Sequence, residues 1–212
     1  MDPIGLVKRG WQQRQLKDPA WQFLFDAPPA DQWVALACTC TGHDVQRDDI
    51  VAIAAVPIHG ARVLASARLE LVVQPGHELP AETLRALGLR QQDLAAGTPP
   101  KEAVQRLLRF VGARPLVGYY LEFAVAMLDR IARPLLGIGL PQPKIDVSAL
   151  YYEHRFRQLP LHQQTDQAAI DLRFASMMEQ LRLPTRAPPD ALNQAVMAAL
   201  AFVKLQALHA GG

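Results

Sequence analysis

From Trp33 onward the hydrophobic residues of this chain change period, and that change limits the available folds more than any other feature. Three β-rich runs follow one another, Trp33–Leu36, Ile50–Val56 and Val63–Val73, divided by His43-Asp44 and by His59-Gly60-Ala61. They predict a three-stranded meander. Helical spacing then appears at residues ~80–87 and again at ~100–111, where Ala103, Val104, Leu107, Leu108 and Val111 recur on one face and Gly112 marks the stop. Pro115-Leu116-Val117-Gly118 reads as a short buried strand, followed by a helix over Leu121–Leu136 and a strand at Ile145–Val147. Helices near Asp171–Leu181 and Asp190–Leu208 complete the pattern. Strands first and alternating elements afterwards predict an α/β domain, a mixed sheet flanked by helices.

Residues ~4–26 carry Leu6, Val7, Trp11, Leu16, Trp21, Phe23 and Leu24 among polar neighbours, the spacing of one or two short amphipathic helices. The expected organisation is therefore an N-terminal helical extension over 1–31 and one domain over 32–212. Leu159–Thr165 and Pro184–Pro189 read as surface loops.

With 212 residues, half of them hydrophobic, the chain can bury a core without covalent staples. Its 22 basic and 20 acidic residues leave a formal charge of +2, too balanced for the broad field of a strongly basic nucleic-acid binder. Cys38 and Cys40 are separated by one residue, a spacing that suits neither a disulfide nor a zinc site and predicts reduced core thiols. No apolar run is expected to reach the ~18 residues of a membrane span, and Met1-Asp2-Pro3 does not open a secretory leader. The expectation is a cytoplasmic protein without a membrane partner.

Three segments carry a family resemblance. Val34-Ala35-Leu36-Ala37-Cys38-Thr39-Cys40-Thr41-Gly42, followed by Asp48-Asp49-Ile50-Val51-Ala52-Ile53-Ala54-Ala55-Val56, is similar to a hydrophobic run, Asp-x-Glu-x-Thr-Gly and then Asp-Glu-Ile-hydrophobic-x-Ile-Gly-Ala-Val. Leu116-Val117-Gly118-Tyr119-Tyr120-Leu121-Glu122-Phe123-Ala124 resembles Val-Gly-His-Asn-x-x-Phe-Asp, and Pro189-Asp190-Ala191-Leu192-Asn193-Gln194-Ala195 resembles His-Asp-Ala-x-x-Asp-Ala. Order and spacing match the DnaQ-like (DEDDh) 3′–5′ exonucleases over roughly residues 33–206, and the paired tyrosines look like a bacterial subgroup. The resemblance implies an RNase H-like fold.

It also implies a degenerate member. The two metal carboxylates of the first motif fall on Ala37 and Thr39, the third on Ala124, the fourth on Gln194, and the general-base histidine on Pro189. Two-metal phosphodiester hydrolysis holds cations ~3.5–4 Å apart, which needs several anionic ligands to offset their repulsion. No metal or other cofactor is therefore expected, and Mg²⁺ or Mn²⁺ only if the chain is active. Contacts to a nucleic acid are expected at Thr41, Leu87, Tyr119, Tyr120 and Phe123, with Leu87 standing where relatives carry histidine and the tyrosines able to stack bases or to pack. His154, Arg155 and Arg157 are the densest basic cluster, a solvated face or a phosphate contact; Arg85, Arg90, Arg106 and Arg109 invite the same two readings.

Nearby acids have ordinary roles available. Asp190 is expected to cap a helix, Glu122 to sit in a first turn, Asp44 with His43 in a polar hairpin loop, and Asp48 and Asp49 in a solvated turn. The leading expectation is a catalytically inactive protein that binds a nucleic acid 3′ end, a nucleotide or a protein partner, through the ancestral groove or the N-terminal extension. The rivals are a weak or rebuilt exonuclease using Asp190, Glu122 or Asp44, and a purely structural or regulatory partner domain, with a homodimer among its forms.

Overall fold

The computed structural model describes residues 10–160, 163–165, 169–187 and 190–210. The meander forms from β1 (Gln32–Cys40), β2 (Ile50–His59), β3 (Arg62–Val63) and β4 (Leu69–Val72). β3 and β4 both pair antiparallel to β2, so the run expected as one strand is split, with a 3-10 turn at Ala65–Ala67 between the halves. Pro57 supplies the reason: its carbonyl accepts the Leu64 N–H at 2.9 Å, but proline has no N–H to return, and the ladder breaks there.

β5 (Leu116–Gly118) then joins β1 in parallel, Val34 opposite Leu116, and β6 (Lys144–Asp146) joins β5 in parallel, Gly118 opposite Asp146. The sheet runs β3-β2-β1-β5-β6, with β4 also beside β2. Helices cover both faces. Those described are α1 (10–14), α2 (Ala81–Leu87), α3 (Gln91–Ala95), α4 (Pro100–Val111), α5 (Leu121–Leu136), α6 (Val147–Gln158), α7 (Phe174–Gln180) and α8 (Ala191–Ala210).

The period of two in β1 sorts its side chains between two cores. Val34 and Leu36 enter one with Leu107 and Leu108 of α4 and Met127 and Leu128 of α5; Cys38 and Cys40 pack against it. Ala35 enters the other, with Met177 of α7 and Ala195, Ala199 and Phe202 of α8, and Ala37 packs against it. The cysteines thus point inward, as expected. Burial pushes the Cys38 thiol well up and the Cys40 thiol to about 12, so neither ionises near neutrality.

Several boundaries differ from the sequence expectation. Val147 opens α6 instead of closing a strand, because Asp146 caps the helix: its Oδ1 accepts the Ser148 N–H at 2.8 Å. α7 starts at Phe174 and not near Asp171, whose carboxylate accepts the Arg173 N–H at 3.0 Å and holds a turn there. α8 is, by length and composition alone, apolar enough to cross a membrane, contrary to the expectation that no run would be. Half of its apolar window is buried inside the fold, where it lies across β1 and β2.

The N-terminal extension, from residue 10 onward, packs onto this same fold, while Leu6 and Val7 lie outside the described residues. Trp21 and Leu24, in a 3-10 turn over Pro19–Phe25, are buried in the α4–α5 core, while the Lys17 N–H reaches the Leu136 carbonyl at 2.9 Å. Arg109 lies 5.5 Å over the Trp21 ring, and Trp11 remains 61% exposed.

Two residues of the second motif are set by backbone geometry. A Cβ on Gly118 would lie 2.9 Å from the Leu36 carbonyl oxygen and 2.8 Å from Leu121 Cδ1, so only glycine lets β5 approach β1 this closely. Tyr120 adopts φ +45, ψ +49 as the residue before α5, a left-handed conformation that favours Gly or Asn. The two positions predict opposite effects in urea unfolding: Gly118→Ala should destabilise by about 1–3 kcal/mol through overpacking, and Tyr120→Asn should stabilise by up to about 1 kcal/mol.

Candidate functional site

Because β1, β5 and β6 run parallel, their carboxyl ends meet at one edge of the sheet, and α5 and α6 begin beside it. The unpaired N–H groups of both helix starts need acceptors. Asp146 serves both: Oδ2 accepts the Leu121 N–H at 2.8 Å, and Oδ1 accepts the Ser148 N–H and hydroxyl. This shared cap sets the entry of the two helices around the edge. Its sequence signal is an Asp just ahead of Ser148, hidden when the segment reads as a strand end.

The β1–β2 loop closes the site on the other side. Thr41 donates its hydroxyl to Asp48 Oδ1 at 2.8 Å and accepts the Asp49 N–H at 3.0 Å, and Asp48 Oδ2 accepts the Asp44 N–H at 2.7 Å. A Cβ on Gly42 would stand 2.5 Å from Asp48 Oδ2, so a larger residue there would displace the carboxylate that holds the loop. The Asp44 N–H first, and the Thr41 hydroxyl next, hold the Asp48 carboxyl below its usual range. Arg130 of α5 ties the loop down, donating to the Val45 carbonyl at 2.7 Å, the Asp48 carbonyl at 2.6 Å and Asp49 Oδ1 at 3.1 Å. Asp49 Oδ2 also accepts the Gly76 N–H at 2.9 Å. Asp48 and Asp49 are therefore anchors of the loop, not a solvated turn, because Arg130 and the Gly76 N–H reach them from distant segments. Nothing local in the sequence announces Arg130.

The sequence-predicted positions fall as follows. Ala37 lies on β1 opposite Ala54, half-buried against the α7–α8 core, and Thr39 lies two residues on, opposite Ala52, at the start of a bulge. Ala124 is buried in the first turn of α5 within the other core. Gln194 sits in the first turn of α8, its N–H on the Asp190 carbonyl at 3.0 Å. Pro189 lies outside the described residues. Asp190 caps α8 as expected, accepting the Asn193 N–H at 2.7 Å.

The predicted contact residues divide. The Tyr119 hydroxyl donates to the Leu172 carbonyl at 2.9 Å and its ring stacks on Phe174 at 4.3 Å. Burial, with Tyr120 nearby, raises its hydroxyl to about 12. Tyr120 is 53% exposed and meets Tyr119 edge-on at 4.6 Å. Phe123 is half-buried, 5.8 Å from the His43 ring. Thr41 is engaged within its loop, and Leu87 packs against Val51, Leu79 and Leu94. Of the three predicted contact aromatics, Tyr120 is thus the most exposed.

A cleft of about 650 Å³ runs along α5 between the β1–β2 loop and β6, lined by Leu121, Glu122, Val125, Asp129 and Lys144 among others. It includes none of Ala37, Thr39, Ala124 and Gln194. Those four positions offer one hydroxyl and one amide and no carboxylate, and the described residues contain no group of three or more His, Cys, Asp or Glu placed to hold a metal. Hard divalent cations in a pair require anionic oxygen ligands. The side chains present at these four positions do not fit such a pair.

The comparisons agree with this architecture. The epsilon subunit of DNA polymerase III from Aquifex aeolicus is 22% identical over 113 residues, which cover 53% of this chain and 55% of that protein. The chain thus spans about half the length of that curated relative. Among solved structures, cell-death related nuclease 4 matches with TM-score 0.65 at 13% identity, over 87% of this chain and 66% of that one. E. coli exonuclease I, in complex with an oligonucleotide, matches with TM-score 0.64 at 13% identity, over 82% of this chain and 40% of that one. At such identities the structural matches speak to the fold: a mixed sheet flanked by helices, as in RNase H-like exonucleases. Residues 35–198 match the Exonuclease (RNase_T) profile, and the chain belongs to that family.

Proposed function

We propose that this chain is an exonuclease-fold protein that holds a single-stranded nucleic-acid 3′ end without cutting it. The observation that carries the proposal is the neutrality of Ala37, Thr39, Ala124 and Gln194 at the family's metal-binding positions. Carboxylates without metal would repel a phosphodiester, and carboxylates with metal would cleave it. Alanine, threonine and an amide do neither, so a strand can lie against them in the absence of divalent ions. The exposed Tyr120 ring at the start of α5 offers a face for a base, a contact typically worth about 1–3 kcal/mol. A general base at Pro189 is also lacking, which removes a further factor of roughly 10²–10⁴ in rate.

The rival, a rebuilt exonuclease, would recruit Asp190, Glu122 or Asp44. Asp190 is engaged at Asn193, and Asp44 accepts the Gln46 N–H at 2.8 Å and lies 3.7 Å from Arg47. Glu122 faces the cleft along α5. Each acid thus has a local duty or a different outlook, which weighs against their acting as one centre.

Fluorescence anisotropy of a labelled single strand in chelator, beside a digestion assay with Mg²⁺ and Mn²⁺, tests the proposal. The expected result is saturable binding without metal, weakened by Tyr120→Ala by about 5- to 150-fold, and an intact strand after incubation. Shortening of the strand from its 3′ end by rigorously purified protein would overturn it in favour of the rival. Failure to bind any strand would leave a protein-partner role in its place.

A further inference from the structure

At the far end of α8 from Gln194, ten residues and about 15 Å along the helix axis, a second pocket opens between α6, the turn after α7, and α8. Its volume is about 290 Å³. Four basic residues line it from three elements: His154 and Arg155 on α6, Arg182 after α7, and Lys204 on α8. Among the described residues no acid lines it. Cations gathered from separate elements repel one another, and no carboxylate among the described residues of the pocket wall offsets that repulsion.

A plainer role for such cations is to satisfy the last carbonyls of helices. Elsewhere the chain uses them so: Lys17 donates to the Pro134 carbonyl at 3.2 Å, and Arg114 to that of Val111 at 2.9 Å. Here backbone N–H groups already do that work. Leu159 reaches the Phe156 carbonyl at 3.1 Å, and Arg182 and Leu183 reach those of Glu179 and Met178, each at 2.9 Å. The side chains of Arg182 and Lys204 make no hydrogen bond or ion pair among the described residues. Arg182 is moreover held at φ +55, a costly conformation for a residue other than glycine.

Gln180 also lines the pocket, and His209 stands next to its His154. Gln180 accepts the Tyr151 hydroxyl through Oε1 at 2.6 Å, which leaves its NH₂ as a donor. His209 Nε2 is buried without a partner among the described residues, its ring 6.0 Å from that of His154. Burial, and then the charges of His209, Arg155 and Arg157, hold the His154 ring below its ordinary value, as expected where positive potential accumulates.

We infer that this pocket binds a phosphoryl group, carried by a free nucleotide or by the backbone of a nucleic-acid strand. Planar guanidinium groups on Arg155 and Arg182 can each donate two parallel hydrogen bonds to phosphate oxygens, and Lys204 adds a point charge. The pocket contains none of the family's metal-binding positions. It therefore stands independently of whether the other end of the domain cuts, holds or ignores a strand.

Calorimetric titration of the full chain with inorganic phosphate, a deoxynucleoside monophosphate and an oligonucleotide lacking terminal phosphates tests this, in low-chloride buffer. The comparison is with the Arg182→Gln, Lys204→Gln double variant, whose exposed positions leave the core untouched. We expect at least tenfold weaker phosphate binding in the variant. Monophosphate binding that depends on both residues, without oligonucleotide binding, identifies a free phosphomonoester. Oligonucleotide binding whose salt dependence falls by roughly 1.4 in log–log slope identifies backbone phosphates, about 0.7 for each phosphate no longer neutralised. Equal affinities in wild type and variant for all three probes, or no binding of any of them to the wild type, would overturn the assignment.

Discussion

Strand β1 is committed on every side. Its two faces feed separate cores, one edge pairs antiparallel with β2 and the other pairs in parallel with β5. Its middle residues Val34, Ala35 and Leu36 are buried and leave no solvent side on which to tolerate exchange, so their composition is narrowly determined. The parallel pairing depends on close approach at Gly118 and fixes where the carboxyl ends of β1, β5 and β6 gather. Asp146 then caps α5 and α6 together, and Arg130 clasps the β1–β2 loop from α5. The rim of the site follows from these contacts within the chain.

Charge governs which side chains can sit inside that rim. A cluster of carboxylates at a sheet edge is costly unless cations neutralise it. Ala37 and Ala124 remove that cost, and each packs into one of the two cores flanking the sheet. The floor is thereby joined to the hydrophobic cores, while the rim retains the Gly42, Thr41 and Asp48 arrangement that shapes the first motif. Under the function proposed above, a rim kept around neutral positions suits holding a strand rather than cutting it.

Much of the architecture is legible in the sequence because local periodicity and burial agree. The alternation from Val34 to Cys40 announces both the strand and the inward cysteines, and Asp190 ahead of α8 announces a cap. Legibility fails where partners are distant in sequence. Arg130 lies over eighty residues from Val45 and Asp48, so no window around it reveals the clasp. α6 escapes a periodicity reading because Tyr151, Tyr152 and Phe156 are interleaved with charges and the helix starts directly from β6. Its basic residues are visible, but their meeting with Arg182 and Lys204 is a product of folding. The two tyrosines cannot be told apart until Phe174 and the Leu172 carbonyl are seen to engage Tyr119.

The account rests on charge at four positions, and thermal unfolding with and without Mn²⁺ addresses it directly. A ligand bound only by the folded state raises Tm as its concentration exceeds Kd. Wild-type protein should show no saturable rise, whereas a variant carrying Ala37→Asp, Thr39→Glu, Ala124→Asp and Gln194→Asp should be stabilised by the ion. A saturable Mn²⁺-dependent rise in the wild type would contradict the account.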